Sequence, residues 1–167
     1  SLDYLEISGS SLNSLYCYDN SLNNLDVSGV TNLTDLHCYN NQLTSLDVSL
    51  NTALTDLHCY NNQLDTLDVS NNNNLVSLLC HNNQLQSLDT RNGNYFNFPS
   101  SNGLNTANNP NLFCINVDNV NWCITNWSSS VDSWSNFSLD CENEIFGCTD
   151  SIAINYDSTF SIDNGTC

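Results

Sequence analysis

Residues 33–53 read LTDLHCYNNQLTSLDVSLNTA, and residues 54–74 almost repeat them as LTDLHCYNNQLDTLDVSNNNN. Further copies lie on both sides, and residues 2–8, LDYLEIS, are a shortened copy of the second half of the unit. The copies recur every 21 residues and place a cysteine at Cys17, Cys38, Cys59 and Cys80. A repeat of this length is typical of a solenoid, in which each copy forms one coil and stacking buries the hydrophobic residues.

Each copy consists of two half-units, LxxLxCxxNx and LxxLDVSxNxx. The alternation in L-x-C and L-x-V has the period of a strand, so we expect Leu57 and Cys59 to point inward and His58 and Tyr60 outward. An asparagine ends the first half-unit in every copy, at Asn20, Asn41, Asn62 and Asn83. We expect these side chains to bond the backbone of the next coil as a ladder. The pattern predicts a short parallel strand in both half-units.

Both half-units resemble the leucine-rich-repeat core LxxLxLxxN, and the nested 21-residue unit resembles the class of leucine-rich repeats called IRREKO. The sequence from Leu2 to Cys141 is also similar to repeat regions of secreted proteins from marine Bacteroidetes. The resemblance implies a mainly β leucine-rich-repeat solenoid with short parallel strands, little helix, an irregular C-terminal cap and a small disulfide-closed module.

The chain divides into regular repeats at 1–95, degenerate repeats with a cap at 96–143, and a small cysteine module at 144–167. Six residues of the degenerate part are predicted to point inward: Phe96, Phe98, Leu104, Ala107, Leu112 and Cys114. Trp122, Trp127 and Trp134 are predicted to form the cap core, because a solenoid must cover its last hydrophobic coil.

The four repeat cysteines occupy inward positions on neighbouring coils about 4.8 Å apart, with parallel side chains. A disulfide requires Cβ atoms near 3.8 Å with converging side chains, so we predict a column of reduced, buried thiols. Zinc bound with His37 and His58 is the alternative. Cysteine and histidine alternate between the two faces of a strand, which argues against it.

The other five cysteines lie outside the regular repeats. The resembling Bacteroidetes proteins carry a cysteine in the last strand and another in an FSxDC motif, which implies a Cys114–Cys141 pair here. Cys114–Cys123 is the alternative. The last segment, GCTDSIAINYDSTFSIDNGTC, resembles a secreted GCTDxxAxNYxxxAxxDDGSC module and implies Cys148–Cys167. Such pairs indicate an oxidising, extracellular setting, and an odd total leaves one cysteine over.

The last module also carries oxygen donors that could form a calcium site: Asp150, Asn155, Asp157 and Asp163. The alternative is that these are turn residues of a disulfide-closed loop. A second acidic set, one residue per coil, consists of Glu6, Asp26, Asp47, Asp68 and Asp89. Divalent cations could bridge this carboxylate row, but we favour solvated aspartates that bond local hydroxyls such as those of Ser28 and Ser49.

Outward positions form rows along a solenoid. The histidine row consists of Tyr16, His37, His58 and Leu79, and the tyrosine row of Tyr18, Tyr39, Tyr60 and His81. Asp19, Asn40, Asn61 and Asn82 run beside them. We predict a binding site formed by Tyr16, Tyr18, His37, Tyr39, His58, Tyr60 and His81, since such rows suit glycans or extended chains. The alternative is that the repeat alone places them and that stacked rings stabilise the sheet.

The charge excludes several functions. The chain has one strong base, Arg91, and 18 acidic residues, which gives a formal net charge of −17. Nucleic-acid binding and lysine chemistry are therefore excluded. No apolar run reaches about 18 residues, so we expect no membrane insertion. The chain begins mid-pattern, and we expect it to be a mature fragment of a longer protein.

The sequence predicts a non-enzymatic binding or adhesion module, secreted or at the cell surface, that engages a protein or a polysaccharide as a monomer. The carboxylates are spread along the repeat rather than gathered, which argues against catalysis. The alternatives are a structural spacer stabilised by calcium and an accessory domain of a polysaccharide-degrading protein.

Overall fold

The chain folds into a β-solenoid of short parallel strands with one α-helix. The computed structural model describes residues 1–7, 9, 11–99 and 103–163. The strands are β1 (Ser14–Tyr16), β2 (Asp35–His37), β3 (Asp56–His58), β4 (Thr66–Asp68), β5 (Ser77–Leu79), β6 (Ser87–Asp89), β7 (Leu104–Asn105), β8 (Cys114–Asn116), β9 (Asn136–Ser138), β10 (Phe146–Gly147) and β11 (Ile162–Asp163). The helix, α1, spans Val120–Trp127. The predicted mainly β solenoid is confirmed.

The first sheet collects the cysteine half-units in the order β1-β2-β3-β5-β7. All its pairs are parallel and in register, so that Leu36 pairs with Leu57 and His37 with His58. Because the register equals the sequence repeat, identical residues lie on neighbouring strands. Rows of like side chains therefore cross the sheet at right angles to the chain.

The second sheet has the order β4-β6-β8-β9 and collects the other half-units. The prediction of a strand in both half-units is wrong for the first two complete copies, in which the segments around Val27 and Val48 are not strands. Their inward residues are still buried, at 7% exposure or less. Asn51 joins these coils, because its Nδ2 donates to the carbonyl oxygens of Val27 and Val30, each at 3.0 Å.

The core is a stack of leucine layers tied together by asparagine side chains. Leu36, Leu57 and Leu78 have no exposed surface. In the first half-units, the Oδ1 of Asn62 accepts from the Leu43 N–H at 3.0 Å, and its Nδ2 donates to the carbonyls of Cys38 and Cys59. The predicted asparagine ladder is confirmed, with the difference that each side chain reaches the preceding coil rather than the next one.

The C-terminal end of the solenoid is closed by α1 and by aromatic packing. Asn119 caps the helix, its Oδ1 accepting from the Trp122 N–H at 3.0 Å. Trp127 is 1% exposed and contacts Phe98 and Trp122 edge-on. For Trp127 the predicted role in the cap core is confirmed.

Two of the predicted inward residues in the degenerate part are wrong. Phe96 is 59% exposed, because it lies in a 3₁₀ turn at Tyr95–Asn97 rather than in a strand. Leu104 pairs with Leu78, and this register gives the inward place to Thr106, while Ala107 falls in an outward row and is half-buried. Phe98, Leu104, Leu112 and Cys114 are buried as predicted.

The last described residues form a small two-stranded parallel sheet, β10-β11. Glu144 links it to the cap, because its carboxylate accepts from the hydroxyls of Ser138 at 2.8 Å and Ser161 at 2.5 Å. Within the described ranges, no helix has the length and apolar character needed to cross a membrane.

Candidate functional site

The outward side of the first sheet, called here the aromatic face, carries the histidine and tyrosine rows. In the tyrosine row the rings stack almost in parallel. Their centroids lie 4.5 Å apart for Tyr18–Tyr39, 4.4 Å for Tyr39–Tyr60 and 4.5 Å for Tyr60–His81, with interplanar angles of 4°, 7° and 11°. The predicted tyrosine row is thus a continuous stack over four coils. Inner rings of this stack present their edges and hydroxyls to solvent, because their flat faces cover each other.

The histidine row is less regular. The His37 and His58 rings stack at 4.1 Å, whereas Tyr16 contacts His37 edge-on at 4.8 Å. His37 also lies 6.3 Å from Tyr39, so the two rows touch. The structure therefore brings all seven predicted binding residues onto one surface. Tyr16 and Tyr18, on the first coil of these rows, are the most exposed, at 57% and 40%.

Burial lowers the pKa of two imidazoles on this face. Desolvation, followed by the neighbouring His37, lowers the pKa of His58 below its ordinary value of 6.5. Desolvation also lowers the pKa of His81. Within the stack, desolvation and then Tyr60 and Tyr18 raise the pKa of Tyr39. Burial therefore favours the uncharged form of the His58 and His81 imidazoles, beside Asp35 and Asp56 on β2 and β3.

A serine and a histidine approach each other on this face, with His58 Nε2 at 3.1 Å from Ser77 Oγ. Nucleophilic catalysis also requires a group that orients the imidazole. Among the described residues, no carboxylate hydrogen-bonds to His58. Asp35 and Asp56 instead accept from the hydroxyls of Thr34 and Thr55. The pair is therefore a contact between the neighbouring strands β3 and β5. Within the described residues it lacks the third member of a catalytic triad.

The asparagine row at the rim of the aromatic face holds a backbone turn that the sequence did not reveal. Asp19, Asn40, Asn61, Asn82 and Asn108 all have positive φ, between 54° and 60°. Asparagine and aspartate adopt this left-handed conformation more readily than other side chains, which explains the residue type. The side chains also bond along the row, with Asn61 Nδ2 donating to Asn40 Oδ1 and Asn108 Nδ2 to Asn82 Oδ1 at 2.8 Å. Asn108 was missed because it lies outside the regular 21-residue spacing.

The aspartates of the carboxylate row each form a separate local turn. Asp26, Asp47 and Asp68 each accept from the backbone N–H two residues on, at 2.8–2.9 Å. Bonds from the Ser28 hydroxyl and N–H lower the pKa of Asp26, and those from Ser49 lower that of Asp47. The favoured interpretation, local bonding to serine, agrees with these contacts.

Arg91 ends the carboxylate row. Its Nε donates to Asp89 Oδ1 at 2.9 Å, its Nη2 to Asp89 Oδ2 at 2.5 Å, and its Nη1 to the Leu139 carbonyl at 3.1 Å. The one strong base of the chain is therefore paired on the second sheet. The aromatic face, on the first sheet, therefore carries no strong base.

The predicted calcium site lies in the last module. Within the described residues, no three or more His, Cys, Asp or Glu side chains gather as a metal site. Asp150 and Asp157 accept from local N–H groups, those of Ile152 and Thr159. Calcium also takes amide and backbone oxygens, so the site at Asp150, Asn155, Asp157 and Asp163 stays a prediction.

The cysteines divide as the sequence indicated. Cys17, Cys38, Cys59 and Cys80 are free and buried, and Cys123 is also a free, buried thiol. Cys114 and Cys141 form a disulfide across 27 residues, so the alternative Cys114–Cys123 pair is wrong. The predicted Cys148–Cys167 pair includes Cys167, which lies outside the described residues, and it stays a prediction.

No family model and no curated protein matches the chain. A similar solved structure is the functional domain of InlJ from Listeria monocytogenes, which includes a cysteine ladder. It is 34% identical over the matched region, with a TM-score of 0.45, and the match covers 65% of this chain. The chain spans 21% of the length of that solved chain.

Proposed function

We propose that this chain is a non-enzymatic binding module of the leucine-rich-repeat type that engages a macromolecular partner outside the cell through its aromatic face. The observation that carries the proposal is the continuous stack of Tyr18, Tyr39, Tyr60 and His81, which lie just beyond the strands of the first sheet. Aromatic side chains that lie on a surface next to polar groups are common at interfaces, because they offer large contact area at low entropic cost.

The geometry of the stack favours one kind of contact. A sugar that packs flat on a tyrosine needs a free ring face, and the faces of Tyr39 and Tyr60 are covered by their neighbours in the row. Ring edges, phenol hydroxyls and the amides of the asparagine row are what a partner meets. This arrangement favours a protein surface over a polysaccharide.

The proposed extracellular location is supported by the Cys114–Cys141 disulfide, since disulfides persist in oxidising compartments. The non-enzymatic character is supported by the distribution of the acidic residues along the whole repeat rather than at one point. A catalytic centre needs unlike groups that converge on one point, and the rows of this face repeat like groups.

The Tyr39→Ala/Tyr60→Ala double variant is expected to lose binding at least about 30-fold, because central aromatic residues of an interface each contribute about 2 kcal/mol or more. The measurement is affinity for the ligands found when wild-type protein is applied to arrays of glycans and of extracellular proteins.

Two control variants keep this test specific. Tyr39→Phe/Tyr60→Phe retains the stacked rings and removes only the hydroxyls, and it should lose less affinity than the alanine pair. Asn24→Ala/Ser45→Ala changes two exposed residues of the second half-units and should bind normally. Unaltered binding by the folded alanine pair would remove the aromatic face as the site.

A further inference from the structure

Packing alone does not explain why the repeat places cysteines at four buried positions of the core. Cys38, Cys59 and Cys80 have no exposed surface, and Cys17 is 5% exposed. The equivalent inward position of the second half-units holds valine at Val27, Val48 and Val69, which are buried to a similar extent. A valine therefore fills the inward position in the second half-units, whereas the first half-units place a cysteine there.

The spacing of the thiols follows from the register of the sheet. The leucines two residues before each cysteine are Cα partners in parallel strands, so each cysteine lies opposite the next one. Neighbouring parallel strands lie about 4.7–4.9 Å apart, and their side chains stand roughly perpendicular to the sheet. Neighbouring sulfurs are thus about 4.8 Å apart, roughly 1 Å beyond van der Waals contact.

That separation matches a straight sulfur–metal–sulfur bridge. Two metal–thiolate bonds of about 2.3 Å span about 4.6 Å. The line between neighbouring sulfurs is roughly perpendicular to each Cβ–Sγ bond, which suits the bent geometry of sulfur. Zinc needs four ligands and finds two here, whereas soft monovalent cations such as Cu⁺ prefer sulfur and accept two ligands in a line.

Charge balance also favours a monovalent cation. Burial raises the pKa of Cys17 to about 11 and that of Cys80 to about 12, so the thiols are protonated at neutral pH. One cation that replaces one thiol proton gives a neutral RS–M–S(H)R bridge and releases one H⁺. No net charge is then buried in the leucine core, which avoids the cost of an unpaired interior charge.

We propose that the thiol column binds two soft monovalent cations of the Cu⁺ or Ag⁺ class, one between Cys17 and Cys38 and one between Cys59 and Cys80. A sulfur cannot hold two cations in a straight line, so each thiol joins one bridge and four thiols give two sites. Cys17, at 5% exposure the least buried of the four, is the entry point.

The test is titration of the intact chain with Ag⁺ alone, followed by native mass spectrometry, proton release and far-ultraviolet circular dichroism. We expect two Ag⁺ and two protons released per folded chain, with unchanged secondary structure and a raised melting temperature. Cys38→Val/Cys59→Val leaves no neighbouring pair and should lose both ions. Cys123→Val is the matched control and should keep both.

A second variant protects the test if the first fails to fold. Cys17→Val/Cys80→Val retains the adjacent central pair and should bind one Ag⁺. Uptake that is unchanged in either column variant, or that occurs only as the circular dichroism signal is lost, would overturn the proposal. Substitution by valine is conservative here because the second half-units already carry valine at the equivalent position.

Discussion

Replacing Asn62 with alanine is expected to lower the free energy of unfolding by about 2–4 kcal/mol. The Leu43 N–H loses its acceptor and becomes a buried, unpaired donor, which costs about 1–3 kcal/mol. The carbonyls of Cys38 and Cys59 lose one donor each but keep a second, from Asn41 and Asn83. Their loss and the small cavity account for the remainder.

The measurement is urea denaturation followed by circular dichroism. The control is Gln63→Ala, one residue away on the exposed surface, for which a change within about 0.5 kcal/mol is expected. Equal stability of the Asn62 and Gln63 variants would mean that the asparagine side chain does not tie the coils together. Because each coil contacts only its neighbours, loss of a central tie can also broaden the transition.

Removing the Cys114–Cys141 disulfide, with both residues changed to alanine, is expected to cost roughly 3–4 kcal/mol. The bond closes a loop of 27 residues, and this length sets the chain entropy regained by the unfolded state. It joins β8 to the 3₁₀ turn at Cys141–Asn143, so its loss loosens the cap that covers the last coil. A fall in melting temperature of about 10 °C follows for a chain of this size.

Dithiothreitol provides the control for this experiment. Reductant should destabilise the wild-type chain by at least as much as the double substitution does. A residual effect of reductant on the Cys114→Ala/Cys141→Ala variant would report the predicted Cys148–Cys167 pair. A melting temperature that is the same for the wild type and the variant would show that the cap does not depend on the bond.

The regular part of the fold was predictable because the sequence repeat alone determines the coil length, the strand register and the direction of the side chains. The 21-residue period fixes the coil length, and the in-register pairing of Leu36 with Leu57 then follows. Inward and outward residues follow from strand alternation, so the thiol column and both aromatic rows could be derived before any coordinates.

The prediction of inward residues failed where the 21-residue period ends, after Arg91. Phe96 enters a 3₁₀ turn, and Thr106 rather than Ala107 takes the inward place, because the copy after Arg91 differs in length and its register cannot be counted from the sequence. Alternation also cannot distinguish a strand from an extended coil, which is why the segment around Val48 was predicted as a strand.

The candidate site was predictable in its members but not in its geometry. The sequence places Tyr39 and Tyr60 in one row, but only the structure shows that their rings stack face to face at 4.4 Å and thereby cover the surfaces a sugar would use. The left-handed turn at Asn61 was likewise invisible, since asparagine is common throughout this chain.

The central claim is that each 21-residue repeat is a physical coil tied to its neighbour by an asparagine, so that like residues form rows. Amide hydrogen exchange measured by nuclear magnetic resonance tests it most directly. Four N–H groups, those of Leu22, Leu43, Leu64 and Leu85, donate to asparagine Oδ1 atoms at 3.0 Å. The structure predicts strong protection at all four, and selective loss at Leu43 in Asn62→Ala. Exchange of these amides at the rate of an unstructured peptide in the wild-type chain would contradict the account.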